Sequence, residues 1–180
     1  MLEEILQVIT ETKSIDDVIL VSKDESAFDI GKKFNCVEVV DDKESGVNNA
    51  VSLANEFLIE HDYDCSIVLP QDIPLISTHD LDNLIAFYQN KKNAIIVPSR
   101  HFDGTNALVR VPMPQMKTRY DEGSYKFQVE PLKTAKMNYS LALIHRIMID
   151  LDNIIDVNYM LKLNSKPSFC NEMRDIFANN

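Results

Sequence analysis

Three aspartates stand where apolar runs end, and that placement gives them possible chemistry. Asp72 closes the run Ile67-Val68-Leu69-Pro70-Gln71-Asp72 and is followed by Ile73-Pro74-Leu75-Ile76. Asp150 and Asp152, two residues apart, follow a second apolar run from Leu141 to Ile149. A buried parallel strand that ends in a carboxylate delivers it to the carboxyl edge of its sheet, where open α/β sheets bind ligands. Two acids separated by one residue on extended chain share a face. Their oxygens suit a hard cation such as Mg²⁺, which in turn can carry the phosphates of a nucleotide. Each group also has a plainer reading. Asp72 fits an ordinary Asp-Ile-Pro turn after a strand, and Asp152 or Asp156 could cap the helix of Val157, Met160 and Leu161. The glycine loop Asp103-Gly104-Thr105-Asn106, which leads straight into the strand-like Ala107 to Val111, tips the combination towards a site.

The elements that must hold these residues alternate along the chain. Leu2, Ile5, Leu6 and Ile9 fall at helical spacing, and Val18 to Val21 reads as a buried strand. A short helix over Ala27, Ile30 and Phe34 precedes a strand at Cys36 to Val40. Gly46 to His61 forms a longer amphipathic helix ahead of the strand that delivers Asp72. Thr78 is placed to N-cap the helix of Leu81, Leu84, Ile85 and Tyr88, and Ala94 to Pro98 makes a fourth strand. Beyond Ser99 the rhythm changes to loops, a strand, a helix ending near Met137, and the strand Leu141 to Ile149 that runs into Asp150-Leu151-Asp152. Alternating helices and strands with ordinary connections predict an α/β domain with a parallel or mixed sheet covered by helices. Residues 1–180 read as one such domain, since 180 residues at 45% hydrophobic and 26% charged can bury a sizeable core.

Composition narrows the function classes. A net charge of −10 without a basic patch argues against nucleic acid as a partner, because backbone phosphates demand clustered cations. A single nucleotide is still admissible if a metal and a few local bases hold it. Lys91-Lys92 is the obvious basic pair, and it follows a helix whose C-terminal dipole it suits. Cys36, Cys65 and Cys170 lack a CxxC pair and read as buried reduced thiols. His61, His79, His101 and His145 are scattered and fit surface or strand-end positions better than a zinc site. The acidic opening Met1-Leu2-Glu3-Glu4 and the strand-sized apolar runs support neither export nor membrane spanning, so a cytoplasmic protein is expected.

Several segments resemble one family in order along the chain. Leu69-Pro70-Gln71-Asp72-Ile73-Pro74-Leu75 is similar to a motif shared by nucleotidyltransferases of the molybdopterin-guanylyltransferase type. Asp103 to Leu108 resembles the GTNAL segment of the 2-phospho-L-lactate guanylyltransferases of archaeal deazaflavin biosynthesis. Tyr120 to Tyr125 resembles that family's glycine-serine loop, Asp150-Leu151-Asp152 its aspartate-x-aspartate motif, and Gly46-Val47-Asn48-Asn49-Ala50 its glycine-leucine-asparagine helix start.

The resemblance implies a three-layer, Rossmann-like nucleotide-diphospho-sugar transferase fold, mostly parallel, with helices on both faces. It implies transfer of GMP from GTP to 2-phospho-L-lactate, giving lactyl-2-diphospho-5'-guanosine and pyrophosphate for coenzyme F(420) assembly; phosphoenolpyruvate and 3-phosphoglycerate are the alternative acceptors. Asp72, Asp150 and Asp152 would hold one or two Mg²⁺ ions, and alignment and charge neutralisation would supply the catalysis. An acceptor phosphate is already anionic, so no general base is needed. Gly104, Thr105, Asn106, Asp121, Gly123 and Ser124 would form the acceptor site. Asn48 and Pro70 would meet the nucleotide, although Asn48 could equally serve as a helix cap. Two departures stand out. The family begins with an internal strand and a basic loop that grips the triphosphate, whereas this chain starts at the helix after them. A truncated or misplaced start is therefore expected, as are open strand edges that favour association into a homodimer. Asp121 occupies a loop position where glycine is usual and would repel an anionic acceptor, putting the acceptor's identity in question. A non-catalytic nucleotide- or partner-binding remnant of the fold is the reading from another class.

Overall fold

A computed structural model describes the chain except for residues 44, 89–93, 112–117, 121–122, 135, 137 and 179–180. Its order begins α1 (Leu2–Glu11), β1 (Ile19–Ser22), α2 (Glu25–Lys33), β2 (Val37–Val40) and α3 (Val47–Glu60). It continues β3 (Ser66–Val68), α4 (Thr78–Tyr88), β4 (Ala94–Pro98), β5 (Thr105–Arg110) and α5 (Ser124–Thr134). It closes with β6 (Tyr139–Leu141), α6 (Ile154–Leu163) and α7 (Pro167–Ala178). Local chemistry sets these limits. The Asp24 carboxylate accepts from the Ser26 amide to start α2, while Lys32 and Lys33 close it with cations at the negative end of the dipole. Ser77, rather than Thr78, caps α4. Its hydroxyl oxygen accepts from the Asp80 amide, and the Asp80 carboxylate accepts from the Ser77 amide at 3.0 Å, a reciprocal box.

The sheet order is β3-β5-β4-β6, with β1 and β2 paired separately and parallel. β5 is antiparallel to both β3 and β4, and β4 is parallel to β6, so β5 alone runs against the others. The side chains of the central strands alternate between two cores, as the pleat requires. Ile95, Val97, Ala107 and Val109 face the core shared with Ile5 and Ile9 of α1 and Leu81 and Leu84 of α4. Ala94, Ile96 and Leu108 face Val129 and Leu132 of α5. Helices on both faces make the three layers expected of the fold.

Two expectations are corrected here. The apolar stretch 141–149 is not one strand: β6 ends at Leu141, and a turn at 144–148 is tied by the Ile147 and Met148 amides donating to the Ile144 carbonyl. Of the three thiols, Cys170 is buried, but Cys36 and Cys65 are only half-buried; all three are free. The four histidines are exposed, as read. The basic pair Lys91-Lys92 lies outside the described residues. No helix among the described residues is long and apolar enough to cross a membrane.

Between the two pieces of sheet is a cleft of about 900 Å³, bordered by β1 on one edge and β3 on the other. Among the described residues each of these strands pairs on one side only, and their unpaired edges border the same cleft.

Candidate active site

β3 gives way to Leu69 and Pro70, and the chain then turns through Asp72 into the buried Ile73-Pro74-Leu75-Ile76 segment. The Asp150-Leu151-Asp152 segment lies beside it as irregular chain rather than at a strand end. The join is made by the backbone: the Leu151 amide donates to the Asp72 carbonyl at 2.9 Å. Asp72 Oδ1 is buried without a hydrogen-bond partner. Burial, and after it the neighbouring Asp152 carboxylate, push the Asp72 carboxyl above its ordinary value. Burial likewise raises Asp150, with Asp152 and Asp72 adding to the effect and the Asn106 side chain opposing it. The structure thus brings together the three acids that the sequence singled out. An orphaned buried oxygen among mutually repelling carboxylates is a donor set that a hard cation would satisfy. Among the described residues, however, no three such side chains converge closely enough to ligate one ion as they stand. The capping alternative is settled differently for each acid. Asn153, not Asp152 or Asp156, caps α6 by accepting from the Ile155 amide at 2.8 Å. Asp156 instead lies buried under Arg100, 2.8 Å away.

The glycine loop is rigid for reasons its motif does not display. Ser99, 2% exposed, sits at its root. Its hydroxyl donates to Asp103 Oδ1 at 2.6 Å and accepts from the Gly104 amide at 2.9 Å. The Gly104 amide also donates to Asp103 Oδ1 at 2.8 Å, and the Gly104 carbonyl accepts from the Ser99 amide at 2.9 Å. The Gly104 N–H, on a residue expected to bind the acceptor, is thus bonded within the loop. The loop packs closely at this point, since a Cβ on Gly104 would meet Ser99 Cβ at 3.2 Å. Thr105 and Ser124 are brought together at the start of β5 and α5, with the Ser124 hydroxyl donating to Thr105 Oγ1 at 3.2 Å. Asn106 is buried, and its Nδ2 donates to the Ile147 carbonyl at 3.0 Å, fixing the turn that leads to Asp150.

Gly123 opens α5 at φ +75°, a conformation that favours glycine. Asn48 does not cap α3. Its Oδ1 accepts from the Tyr120 amide at 2.7 Å and so ties the second loop to α3. Pro70 is half-buried beside Gln71 on the way to Asp72 and borders the β1/β3 cleft. Asp121 lies outside the described residues. Ser99 was not legible as a site residue, since a serine after Pro98 carries no pattern. Arg100 was also missed; its guanidinium stacks over Tyr159 at 4.3 Å while reaching Asp156.

Comparison with solved structures first places the class. A candidate nucleotide-diphospho-sugar transferase from Desulfovibrio desulfuricans G20 superposes with a TM-score of 0.67 at 14% identity, covering 98% of this chain and 82% of that one. The fold is therefore that of the nucleotide-diphospho-sugar transferases. Residues 1–168 match the family described as guanylyl transferase CofC like, and the chain belongs to that family. The 2-phospho-L-lactate guanylyltransferase of Methanocaldococcus jannaschii is 29% identical over 147 residues, 81% of this chain and 63% of that protein. The phosphoenolpyruvate guanylyltransferase of Conexibacter woesei is 26% identical over 164 residues, 91% of this chain and 74% of that protein. The chain thus spans less than two thirds of the archaeal relative's length.

Proposed function

We propose that the chain is a guanylyltransferase that joins GMP from GTP to a small phosphorylated carboxylic acid, 2-phospho-L-lactate first among the candidates. In that reaction an oxygen of the acceptor phosphate attacks the α-phosphorus of GTP, the bond to the β-phosphate oxygen breaks, and pyrophosphate leaves. Asp72, Asp150 and Asp152 would hold Mg²⁺, which when bound neutralises phosphate charge and orients the two reacting phosphates. The chain's own residues then act by positioning. The Leu151–Asp72 backbone bond holds the two acidic segments side by side, and Asn106 fixes the turn before Asp150. The Thr105 hydroxyl, which accepts from Ser124, keeps its own O–H to donate to the acceptor. No basic side chain is asked to take a proton.

The observation that carries this reading is the juxtaposition of Asp72 with Asp150 and Asp152, within a chain whose family is guanylyl transferase-like. The two relatives named above differ in acceptor, so choice among phosphorylated acids is part of the test. The assay is pyrophosphate release from GTP and Mg²⁺ with 2-phospho-L-lactate, phosphoenolpyruvate or 3-phosphoglycerate. Release that needs both substrates and falls by about a thousandfold or more in Asp72→Asn supports transfer. Nucleotide binding without release from any acceptor would assign a binding role instead.

A further inference from the structure

Asp150-Leu151-Asp152 lies beyond the end of β6 as irregular chain, so its carboxylates are not set in place by a strand ladder. They also repel one another and Asp72. The Leu151 amide on the Asp72 carbonyl and the Asn106 side chain on the Ile147 carbonyl oppose that repulsion from within. Two arginine–aspartate pairs at the ends of the segment oppose it from outside.

Upstream, Arg146 belongs to the turn at 144–148. Its Nε and Nη2 donate to Asp80 Oδ2 and Oδ1, each at 2.7 Å, a two-pronged bond that fixes direction as well as distance. Asp80 stands in the first turn of α4, the helix into which the Asp72 to Ile76 segment runs, and the Ser77 amide and hydroxyl hold its carboxylate. Downstream, Asp156 stands in the first turn of α6, which Asn153 caps directly after Asp152. Its Oδ1 accepts from Arg100 Nη2 at 2.8 Å, and the same guanidinium lies over the Tyr159 ring at 4.3 Å. Arg100 follows Ser99, the root of the glycine loop. The Tyr159 hydroxyl and His145 Nε2 are 3.1 Å apart, so the downstream pair reaches back to the turn that carries Arg146. The side chains of Asp80 and Asp156 are only 3% and 6% exposed, and a carboxylate so buried holds its arginine because leaving it unpaired is costly.

We propose that Arg146–Asp80 and Arg100–Asp156 form a bracket that positions Asp150 and Asp152. The upstream pair ties the approach to Asp150 to the helix that follows Asp72. The downstream pair ties the exit from Asp152 to the root of the glycine loop. Arg100 and Arg146 are thus positioning residues: neither touches substrate, and each acts through the acids held between them. The bearing of the bracket on metal binding rests on the function proposed above. A hard cation needs its carboxylate oxygens at set distances, so a segment freed at either end would bind one more weakly.

Two readouts on the purified chain test the bracket and keep it apart from that function. Hydrogen exchange of the Leu151 amide reports the junction of the two acidic segments without any metal. Titration with Mn²⁺, alone and with GTP, reports ligation. Arg100→Met and Arg146→Met each leave a buried carboxylate unpaired, so Arg100→Met with Asp156→Asn and Arg146→Met with Asp80→Asn serve where a single variant does not fold. In the folded variants Leu151 exchange is expected to quicken by about tenfold or more beyond any change at 95–97, and Mn²⁺ affinity to fall about tenfold. Arg100→Lys, which lacks the fork and the plane, should show part of both losses. Leu151 exchange that changes only in step with 95–97 would overturn the bracket, because the pairs would then serve global stability alone. So would parent-like Mn²⁺ affinity in folded bracket variants when Asp72→Asn weakens it. Equal Mn²⁺ affinity in the parent and Asp72→Asn would instead strike the metal role of the acids, and Leu151 exchange alone would then decide the bracket.

Discussion

Asp72 Oδ1 is buried with no bond to it, next to acids of the same sign. Such an arrangement costs the fold stability at neutral pH, since burial and repulsion both disfavour the ionised carboxylate. Asp72→Asn removes the charge at nearly constant volume. The metal-free variant is therefore expected to melt at the same temperature as the parent or a few degrees above it, while losing transfer activity. A calorimetric scan in chelator that showed the variant melting well below the parent would mean that Asp72 is held by contacts important to the fold. Cys65 offers a second test at this scale. Burial pushes its thiol up to about 11 from 9.0, with Asp64 adding to the rise and Arg110 opposing it. At pH 8 its thiolate fraction is therefore about a hundredfold below that of an ordinary thiol. Iodoacetamide should modify Cys65 about a hundredfold more slowly in the native chain than in urea, and equal rates would show the site open. Asp72, Asp150 and Asp152 were legible from sequence because acids at the ends of apolar runs form a pattern. Ser99 was not, because a lone serine after Pro98 carries no pattern, and Arg110 was not, because its partners Ser66 and Asn55 are distant in sequence.

At the scale of elements, apolar periodicity found helices and buried strands well and failed where burial and strand geometry part company. Ala142 and Ile147 are buried in the core shared with α1 and α4, while Ile149 is buried against Met160 of α6 and Phe169 of α7. One largely apolar run thus feeds two cores through a turn, and its only interruption, His145-Arg146, falls within that turn rather than where the chain leaves the sheet. The reversed direction of β5 was hidden for a similar reason, since strand polarity is set by pairing rather than by composition. The glycine loop was legible from its motif, but the Ser99 hydroxyl that shapes it lies outside that motif. Ser99→Ala leaves the Gly104 amide with Asp103 alone and removes the hydroxyl donor to that carboxylate. The expected cost is about 1–3 kcal/mol of stability. Because the loop leads into Thr105, the KM for the acceptor should rise several-fold while the KM for GTP stays near its parent value. Equal changes in both constants would place the loop outside the acceptor site.

At the scale of the whole molecule, the described residues form two unequal pieces of sheet. β3, β5, β4 and β6 form a four-stranded sheet whose central strands are buried on both faces. β1 and β2 form a two-stranded parallel pair held to the rest through α1, α2 and α3 across the cleft. Two strands alone are marginal in water, and an element with half-buried side chains and open edges opens more readily than a packed centre. The helices contribute unevenly to closing the gap. α2 approaches β1 closely enough that a Cβ on Gly31 would lie 2.8 Å from Leu20 Cδ2, so this side is tight. The side facing β3 borders the cleft instead. Native-state hydrogen exchange at low denaturant should accordingly resolve two units. Amides of 19–22 and 37–40 should exchange through a partial opening at least about tenfold more frequent than the global unfolding that releases 95–97 and 107–109. Their exchange should also be less sensitive to denaturant, because the partial opening exposes less surface. If both groups exchanged with the same free energy and the same denaturant slope, the cleft would lie within one cooperative unit. α1 and α3 would then couple the two pieces of sheet as tightly as a shared strand does.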